Sequence, residues 1–335
     1  MGAGRAGCVL FIVKASAPGK IILFGEHAVV YGRPALAVPV TQVHADVEVV
    51  DSSRAGIWID ASDINLYAEL NSLPSDHPLA AVIKKFFPHP LSLSQNWERG
   101  WGEGLEIKIS STIPVASGLG SGAAVTVALI RALSSFLLHS HLHLAQVQVL
   151  SNEQINQFAY EIEKLHHGTP SGIDNTVVTY AKPVYFIKGQ PIEIFKVGKP
   201  FTIVIGDTGI SAPTKESVGD VRKLWLKEKL QWESVFDEIG QIALMARRAI
   251  ESGRVEMLGE LMNENHALLQ KLTVSSPELD CLVEAARNAG AAGAKLSGGG
   301  RGGNMIALVE ADLAEAVSSA LKTSGAKNII VTQVK

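Results

Sequence analysis

Cysteine is almost absent from this chain: Cys8 and Cys281 are the only two in 335 residues. Two thiols make neither a disulfide framework nor a zinc cluster, and their scarcity points to a reducing, cytoplasmic setting. Charge of one sign is lacking as well. Thirty Lys and Arg against 33 Asp and Glu leave a formal net charge of −3. No basic stripe is available for nucleic acid or for an anionic membrane, so neither is expected as a partner. Long apolar runs are missing too: Val9 to Val13 is too short for a signal core, and no later run is read as reaching membrane length. Ala6 stands where a myristoylation signal needs Ser or Thr. The chain also has neither the Lys of a Walker A loop nor a GxGxxG dinucleotide turn.

What is present suits a buried core: 47% of the residues are hydrophobic and 19% charged. At roughly 150 residues per domain, the length suggests two domains, with a boundary read near 185/186. Strands are predicted over 10–17, 21–24, 35–50, 57–59 and 105–110. A helix over 78–87 would bury Leu79, Val82, Ile83 and Phe86 on one face. Val43, Ala45, Val47 and Val49 alternate with the period of a half-buried strand. Ser151 and Gln154 form a capping-box pattern before a helix over 152–166. The second half reads as long helices over 214–252, 254–271 and 277–289, with strands over 294–296, 305–309 and 328–334. Strands and helices mix without strict βαβ alternation, which favours an α+β architecture over a doubly wound sheet. The stretch 88–104, with Pro, Ser, Gly, Trp97 and Trp101, has neither period. It reads as a surface insertion, with a Trp-bearing lid as the other possibility.

The most informative run is IPVASGLGSGAA (113–124). It leaves a strand, crosses a loop of small residues and opens an apolar helix over 123–138. Its glycines allow positive φ and leave room for a ligand against the backbone. The helix that follows turns unpaired N–H groups and its positive dipole end back toward that loop. Together these make a seat for phosphate. A second run, KLSGGGRGGN (295–304), packs glycines between two strand-like segments, which a floppy joint would weaken. A third, APGKIILFGEHAVVYG (17–32), sets Lys20, Glu26 and His27 among apolar neighbours.

In this order, PGK and GEHAVVYG, then IPVASGLGSGAA, then HGTPSGIDN (167–175), then KLSGGGRGGN, the chain resembles the GHMP kinase superfamily. GEHAVVYG at 25–32 is similar to the mevalonate kinase branch; galactokinases follow GEH with Thr-Asp. The resemblance spans positions 15 to 310. It implies a two-domain α+β fold, with an N-terminal ATP-binding domain over 1–185, a C-terminal domain over 186–335 and the active site in the cleft between them. It also implies ATP as co-substrate, Mg²⁺ as cofactor, mevalonate as the other substrate and a homodimer. The activity implied is phosphorylation of the mevalonate 5-hydroxyl, a step in isoprenoid biosynthesis. A phosphomevalonate kinase-like enzyme and a catalytically silent ligand sensor are the alternatives.

Residue by residue, Asp174 aligns with the catalytic carboxylate and Lys20 with the active-site lysine. Without the resemblance, Asp174 would read as a helix-start Asp. Glu163 matches the acidic Mg²⁺ ligand, a hard oxygen donor of the kind Mg²⁺ prefers. Pro114, Ser117, Gly118, Leu119, Gly120, Ser121, Gly122 and Ala123 align with the phosphate loop, and Gly298, Gly299, Gly300 and Arg301 with the second glycine loop. Glu26, His27 and Thr214 align with substrate contacts. Two departures stand out. Gly122 replaces the family's second serine, so that either Ser121 takes over the hydroxyl for the metal or water replaces it, and Arg301 occupies what is usually glycine, either as a phosphate partner or as a solvent-facing residue.

Overall fold

The computed structural model describes residues 12–87, 104–114, 117–139, 150–167, 171–211 and 213–335. The strands are β1 (Ile12–Phe24), β2 (Ala35–Ser52), β3 (Gly56–Ala61), β4 (Leu66–Glu69), β5 (Gly104–Ser111), β6 (Val184–Phe186) and β7 (Glu193–Ile194). They continue with β8 (Phe201–Asp207), β9 (Gly293–Ser297), β10 (Asn304–Val309) and β11 (Asn328–Val334). The helices are α1 (Pro78–Phe86), α2 (Ser121–His139), α3 (Asn152–His167), α4 (Ile173–Tyr180) and α5 (Thr214–Lys227). After them come α6 (Lys229–Glu251), α7 (Leu258–Lys271), α8 (Pro277–Asn288) and α9 (Ala314–Thr323). The mixed α+β class agrees with the sequence.

The chain forms two compact units that interleave along it. One comprises Met1–Ala17, His44–Thr112 and Gly122–Pro170, and the other Pro18–Val43, Ile113–Ser121 and Ser171–Lys335. The sequence reading divides the chain once, at 185/186, whereas here β1 and β2 each contribute residues to both units.

In the first unit β5 is flanked by β2 on one side, antiparallel with Ala45 opposite Ser111, and by β3 on the other, parallel with Gly56 opposite Gly104. β4 completes this part of the sheet, antiparallel to β3. Val43, Ala45, Val47 and Val49 are buried while Asp46 is exposed, so the two-residue period expresses one buried face. Helix α1 buries Leu79, Val82 and Ile83, and Phe86 meets Phe158 of α3 at 5.6 Å between ring centroids. The capping box of α3 is present: the Ser151 N–H donates to Gln154 Oε1 at 2.9 Å and the Gln154 N–H donates to Ser151 Oγ at 3.2 Å. Helix α2 corrects one expectation. Its stretch Ser121–Leu138 is long and apolar enough to cross a membrane, but 67% of it is buried inside the protein, as befits a core helix that is hydrophobic all round. The insertion at 88–104 lies outside the described residues, apart from Gly104.

The second unit holds an antiparallel sheet in the order β11-β8-β10-β9. Every residue of β9 and β10 is buried, with helices α7 and α8 against β9 and α9 against β8. Its register aligns Ser297 with Asn304, Asn304 with Asp207, and Asp207 with Asn328. A row of polar residues therefore ends the sheet, and the segments 298–303 and 208–211 leave from that end. A further core gathers Ile22, Val29, Ala35, Ala37, Ile173, Val177, Val184 and Phe186, which fixes the end of β1 against α4.

Two elements differ from the sequence reading. Pro18-Gly19 does not interrupt β1, which runs on to Phe24. Gly19 is closely packed: a Cβ there would lie 3.0 Å from Val43 Cγ2 and 3.2 Å from the Leu119 carbonyl oxygen. The helix expected over 214–252 breaks at Glu228, whose φ of −139° and ψ of 67° leave the helical region although neither Gly nor Pro marks the place.

Candidate active site

Lys20 lies near the end of β1 with its side chain 4% exposed, and its Nζ sits 2.9 Å from Asp174 Oδ1. Asp174 occupies the first turn of α4, after Gly172 at φ 87°. A carboxylate is favoured at a helix N-terminus by the backbone dipole. That turn is organised by other groups: Ser171 Oγ accepts from the Ile173 N–H at 3.3 Å, and Thr176 Oγ1 donates to the Gly172 carbonyl at 2.6 Å. Asp174 remains a third exposed and turned to Lys20. A partly solvated carboxylate against a buried ammonium is an arrangement that can take a proton and place positive charge beside a developing oxyanion.

The loop before α2 packs directly on Lys20. The Lys20 N–H donates to the Leu119 carbonyl at 2.9 Å. Gly118 and Gly120 take φ of 83° and 77°, and a Cβ on Gly120 would stand 2.9 Å from Lys20 Cγ. Ser117 closes a turn onto Pro114, its Oγ donating to that carbonyl at 2.9 Å. Asn304 Nδ2 donates to the Ser117 carbonyl, which ties this loop to the start of β10.

The second glycine loop is held on both flanks. The Arg301 N–H donates to the Val274 carbonyl at 2.8 Å, the Gly303 N–H to Ile210 at 2.9 Å, and the Thr208 N–H to Gly303 at 2.9 Å. Its glycines thus serve close approach and left-handed backbone, not looseness. The Arg301 guanidinium pairs with Asp220 of α5 at 2.6 Å. Bonds from Lys223 and Arg301 together hold the Asp220 carboxyl at about 2. Arg301 is therefore already engaged in binding the loop to α5.

His27 and Thr214 meet at Gly299, and Glu26, the residue before His27, turns to Lys295. His27 Nε2 donates to the Gly299 carbonyl at 3.1 Å, and Thr214 Oγ1 would lie 3.0 Å from a Cβ on Gly299. Burial lowers the His27 pKa to about 4, so the ring is neutral at pH 7. With the proton on Nε2, Nδ1 is a bare acceptor, buried and without a partner among the described residues. His27 also sits at φ 59°, a strained backbone of the kind found at functional sites. Glu26 is fully buried, and its Oε1 is bonded to Lys295 Nζ of β9. Burial raises the Glu26 pKa and lowers that of Lys295, each drawn back by the other.

Gly122, Ala123 and Glu163 belong to the first unit. Gly122 lies in the first turn of α2, and Glu163 is half-buried on α3. Among the described residues no cluster of three His, Cys, Asp or Glu is poised for a metal. Ser121 and Glu163 are nevertheless oxygen donors of the type a hard cation takes, and Mg²⁺ needs only one or two from the protein beside phosphate oxygens and water. Lys295 and Asn304 are what sequence reasoning missed. The available signal was a lysine and an asparagine embedded in strands of otherwise buried type.

Family models match at two places: "GHMP kinases N terminal domain" over residues 82–182 and "GHMP kinases C terminal" over residues 246–327. The mevalonate kinase of Pyrococcus abyssi is 38% identical over 335 residues, covering 95% of each chain. Among solved structures, L. major mevalonate kinase in complex with R-mevalonate aligns with a TM-score of 0.75 at 30% identity, covering 99% of both chains. The Methanococcus jannaschii mevalonate kinase aligns with a TM-score of 0.74 at 26% identity over 98% of both chains.

Proposed function

This chain belongs to the mevalonate kinases of the GHMP kinase superfamily, and we propose that it transfers the γ-phosphoryl group of ATP to the 5-hydroxyl of mevalonate. The products are 5-phosphomevalonate and ADP, and the step belongs to isoprenoid biosynthesis. The observation that carries this reading is the Lys20–Asp174 pair at 2.9 Å beneath a glycine loop that packs on the lysine stem.

Phosphoryl transfer asks the protein mainly for positioning and charge stabilisation. Asp174 accepts the proton of the acceptor hydroxyl, or orients it for attack. Lys20 supplies positive charge where the attacking oxygen and the γ-phosphoryl group meet. Backbone N–H groups of Gly118, Gly120 and Ser121 serve the ATP phosphates, and the loop over Gly298, Gly299 and Gly300 serves the nucleotide from the end of β9. Mg²⁺, expected of a kinase, would neutralise phosphate charge on the oxygen donors of Ser121 and Glu163. On the acceptor side, the bare Nδ1 of a neutral His27 accepts a hydrogen bond from a substrate hydroxyl and Thr214 offers a hydroxyl. A neutral imidazole and a hydroxyl suit an unphosphorylated acceptor better than a phosphorylated one. The division at 185/186, a cytoplasmic location and a homodimer belong to the same proposal.

Product identification tests it. With ATP and Mg²⁺, ³¹P NMR should show a phosphomonoester formed from mevalonate and none from 5-phosphomevalonate. A diphosphate formed from 5-phosphomevalonate, with mevalonate inert, would overturn the reading.

A further inference from the structure

One oxygen of the carboxylate that the family resemblance gives to the substrate, Oε1 of Glu26, is already taken in this structure, while Oε2 is buried without a hydrogen-bond partner among the described residues. Glu26 and Lys295 both have fully buried side chains, and Nζ is bonded to Oε1. The same Nζ donates to the Leu296 carbonyl at 2.6 Å. Two more bonds join the same two segments: Ser297 Oγ donates to the Ile22 carbonyl at 2.7 Å, and His27 donates to Gly299 at 3.1 Å. From the other side, the Leu296 N–H donates to His266 Nδ1 at 3.3 Å, and His266 Nε2 faces Asp280 at 3.1 Å. The end of β9 is thereby located from two directions, and Lys295 is the charged residue at the centre of that location.

Glu26 immediately precedes His27, and Lys295 lies four residues before Gly299, whose carbonyl accepts the hydrogen bond from His27 Nε2. The length of the ion pair therefore sets how the His27 ring meets the glycine turn. We propose that Lys295 is a positioning residue. Through Glu26, its counter-ion and not a ligand of the acceptor, it holds the acceptor-side His27 in register with the nucleotide-side loop at 298–300. This rests on the kinase reading above and deepens it, because one buried pair would then govern the affinity for both substrates.

A double-mutant cycle separates this role from direct contact. Removing one member of a buried pair strands the other charge, whereas removing both leaves a neutral site, so the double variant should recover part of the loss. Lys295→Met, Glu26→Gln, their combination and Lys295→Arg would be compared by melting temperature, kcat and KM for each substrate. The affinity for a non-hydrolysable ATP analogue would be measured by calorimetry. Lys295→Met is expected to lower kcat/KM by about 100-fold, the scale of a displaced site. It should raise KM for mevalonate and weaken the ATP analogue together. The double variant should regain about tenfold of that loss or more. Lys295→Arg, which keeps the charge but not the length, should melt near the wild type yet raise KM for mevalonate. If Lys295→Met does not fold, the double and Arg variants still decide the matter.

Two results would overturn the proposal. In one, Glu26→Gln affects only mevalonate KM and Lys295→Met gives no rescue, which is the pattern of a substrate ligand. In the other, melting temperature falls while kinetics and nucleotide affinity hold, the pattern of a purely structural pair. Wild-type turnover run alongside keeps the questions apart. If the wild type ignores mevalonate, the kinase reading fails, while the coupling in analogue affinity and melting temperature still reads out the pair.

Discussion

Adding one methyl group at Gly120 tests whether the glycine loop sets the aim of Lys20. Gly120 has φ of 77°, where an L-residue costs about 1–2 kcal/mol. The new Cβ would stand 2.9 Å from Lys20 Cγ, 3.2 Å from Cε and 3.6 Å from Cδ. Carbon pairs rest at roughly 3.5–4.0 Å, so the stem must retreat by about 0.6–1 Å or the loop must lift away. Lys20 has little free space, being 4% exposed with its Nζ 2.9 Å from Asp174. Bending its stem off a rotamer adds about 0.5–1.5 kcal/mol. Gly120→Ala should therefore lose roughly 2–3 kcal/mol of stability in all. A misplacement of about 1 Å near the reacting atoms can cost about 100-fold in rate, and that is the expected fall in kcat. The control is Gly122→Ala. Gly122 is helical, does not have positive φ, and an added Cβ there meets nothing within 4 Å among the described residues. It should keep its activity and gain a few tenths of a kcal/mol to about 1 kcal/mol from helix propensity. Circular dichroism melts and ATP turnover with saturating mevalonate measure both. Equal melting temperatures and equal kcat for Gly120→Ala and wild type would refute the packing argument.

Other outcomes follow from the same geometry. Asp174→Asn keeps the shape of the side chain but not its charge or basicity, so kcat should fall by about 10²–10⁴-fold; near-normal turnover would remove Asp174 from the chemistry. Glu163→Gln and Ser121→Ala should each raise the Mg²⁺ concentration needed for half-maximal rate, since the first leaves only a neutral amide oxygen, a poorer donor to a hard cation, and the second removes the hydroxyl oxygen; an unchanged Mg²⁺ titration in the folded variants would discharge both from that role. Acid should destabilise the protein through His27 and His266, whose pKa values burial lowers from 6.5 to about 4. The unfolded state binds these protons first, so the stability that neutral histidine contributes is complete above about pH 6.5. It is lost as pH falls toward 4, on the order of 3 kcal/mol for each group. A melting temperature flat between pH 7 and 4.5 would contradict this.

Much of the site was legible because its parts are local. Gly118 and Gly120 announce a left-handed loop before a helix, Ser151 and Gln154 announce a cap, and the run Asn328–Val334 coincides with its strand. What escaped depends on residues distant in the chain. The Glu26–Lys295 pair spans 269 positions, and no local pattern couples a Glu in one loop to a Lys in a buried strand. Arg301 was left between a phosphate and solvent, because its partner Asp220 sits on a helix whose approach no motif foretells. The break at Glu228 carries no Gly or Pro, so periodicity runs straight through it. Helix α2 shows the opposite failure: its composition alone passes for a membrane span, and only burial identifies it as core.

The central claim is that mevalonate is the phosphoryl acceptor and that the Lys20–Asp174 pair serves its hydroxyl. The most direct measurement is ADP release from Mg²⁺-ATP with and without mevalonate, in the wild type and in Asp174→Asn side by side. Rapid release is expected from the wild type only when mevalonate is present, with a loss of about 10²–10⁴-fold in the variant with its fold intact. ADP release that ignores mevalonate, or a variant as active as the wild type, would contradict that claim.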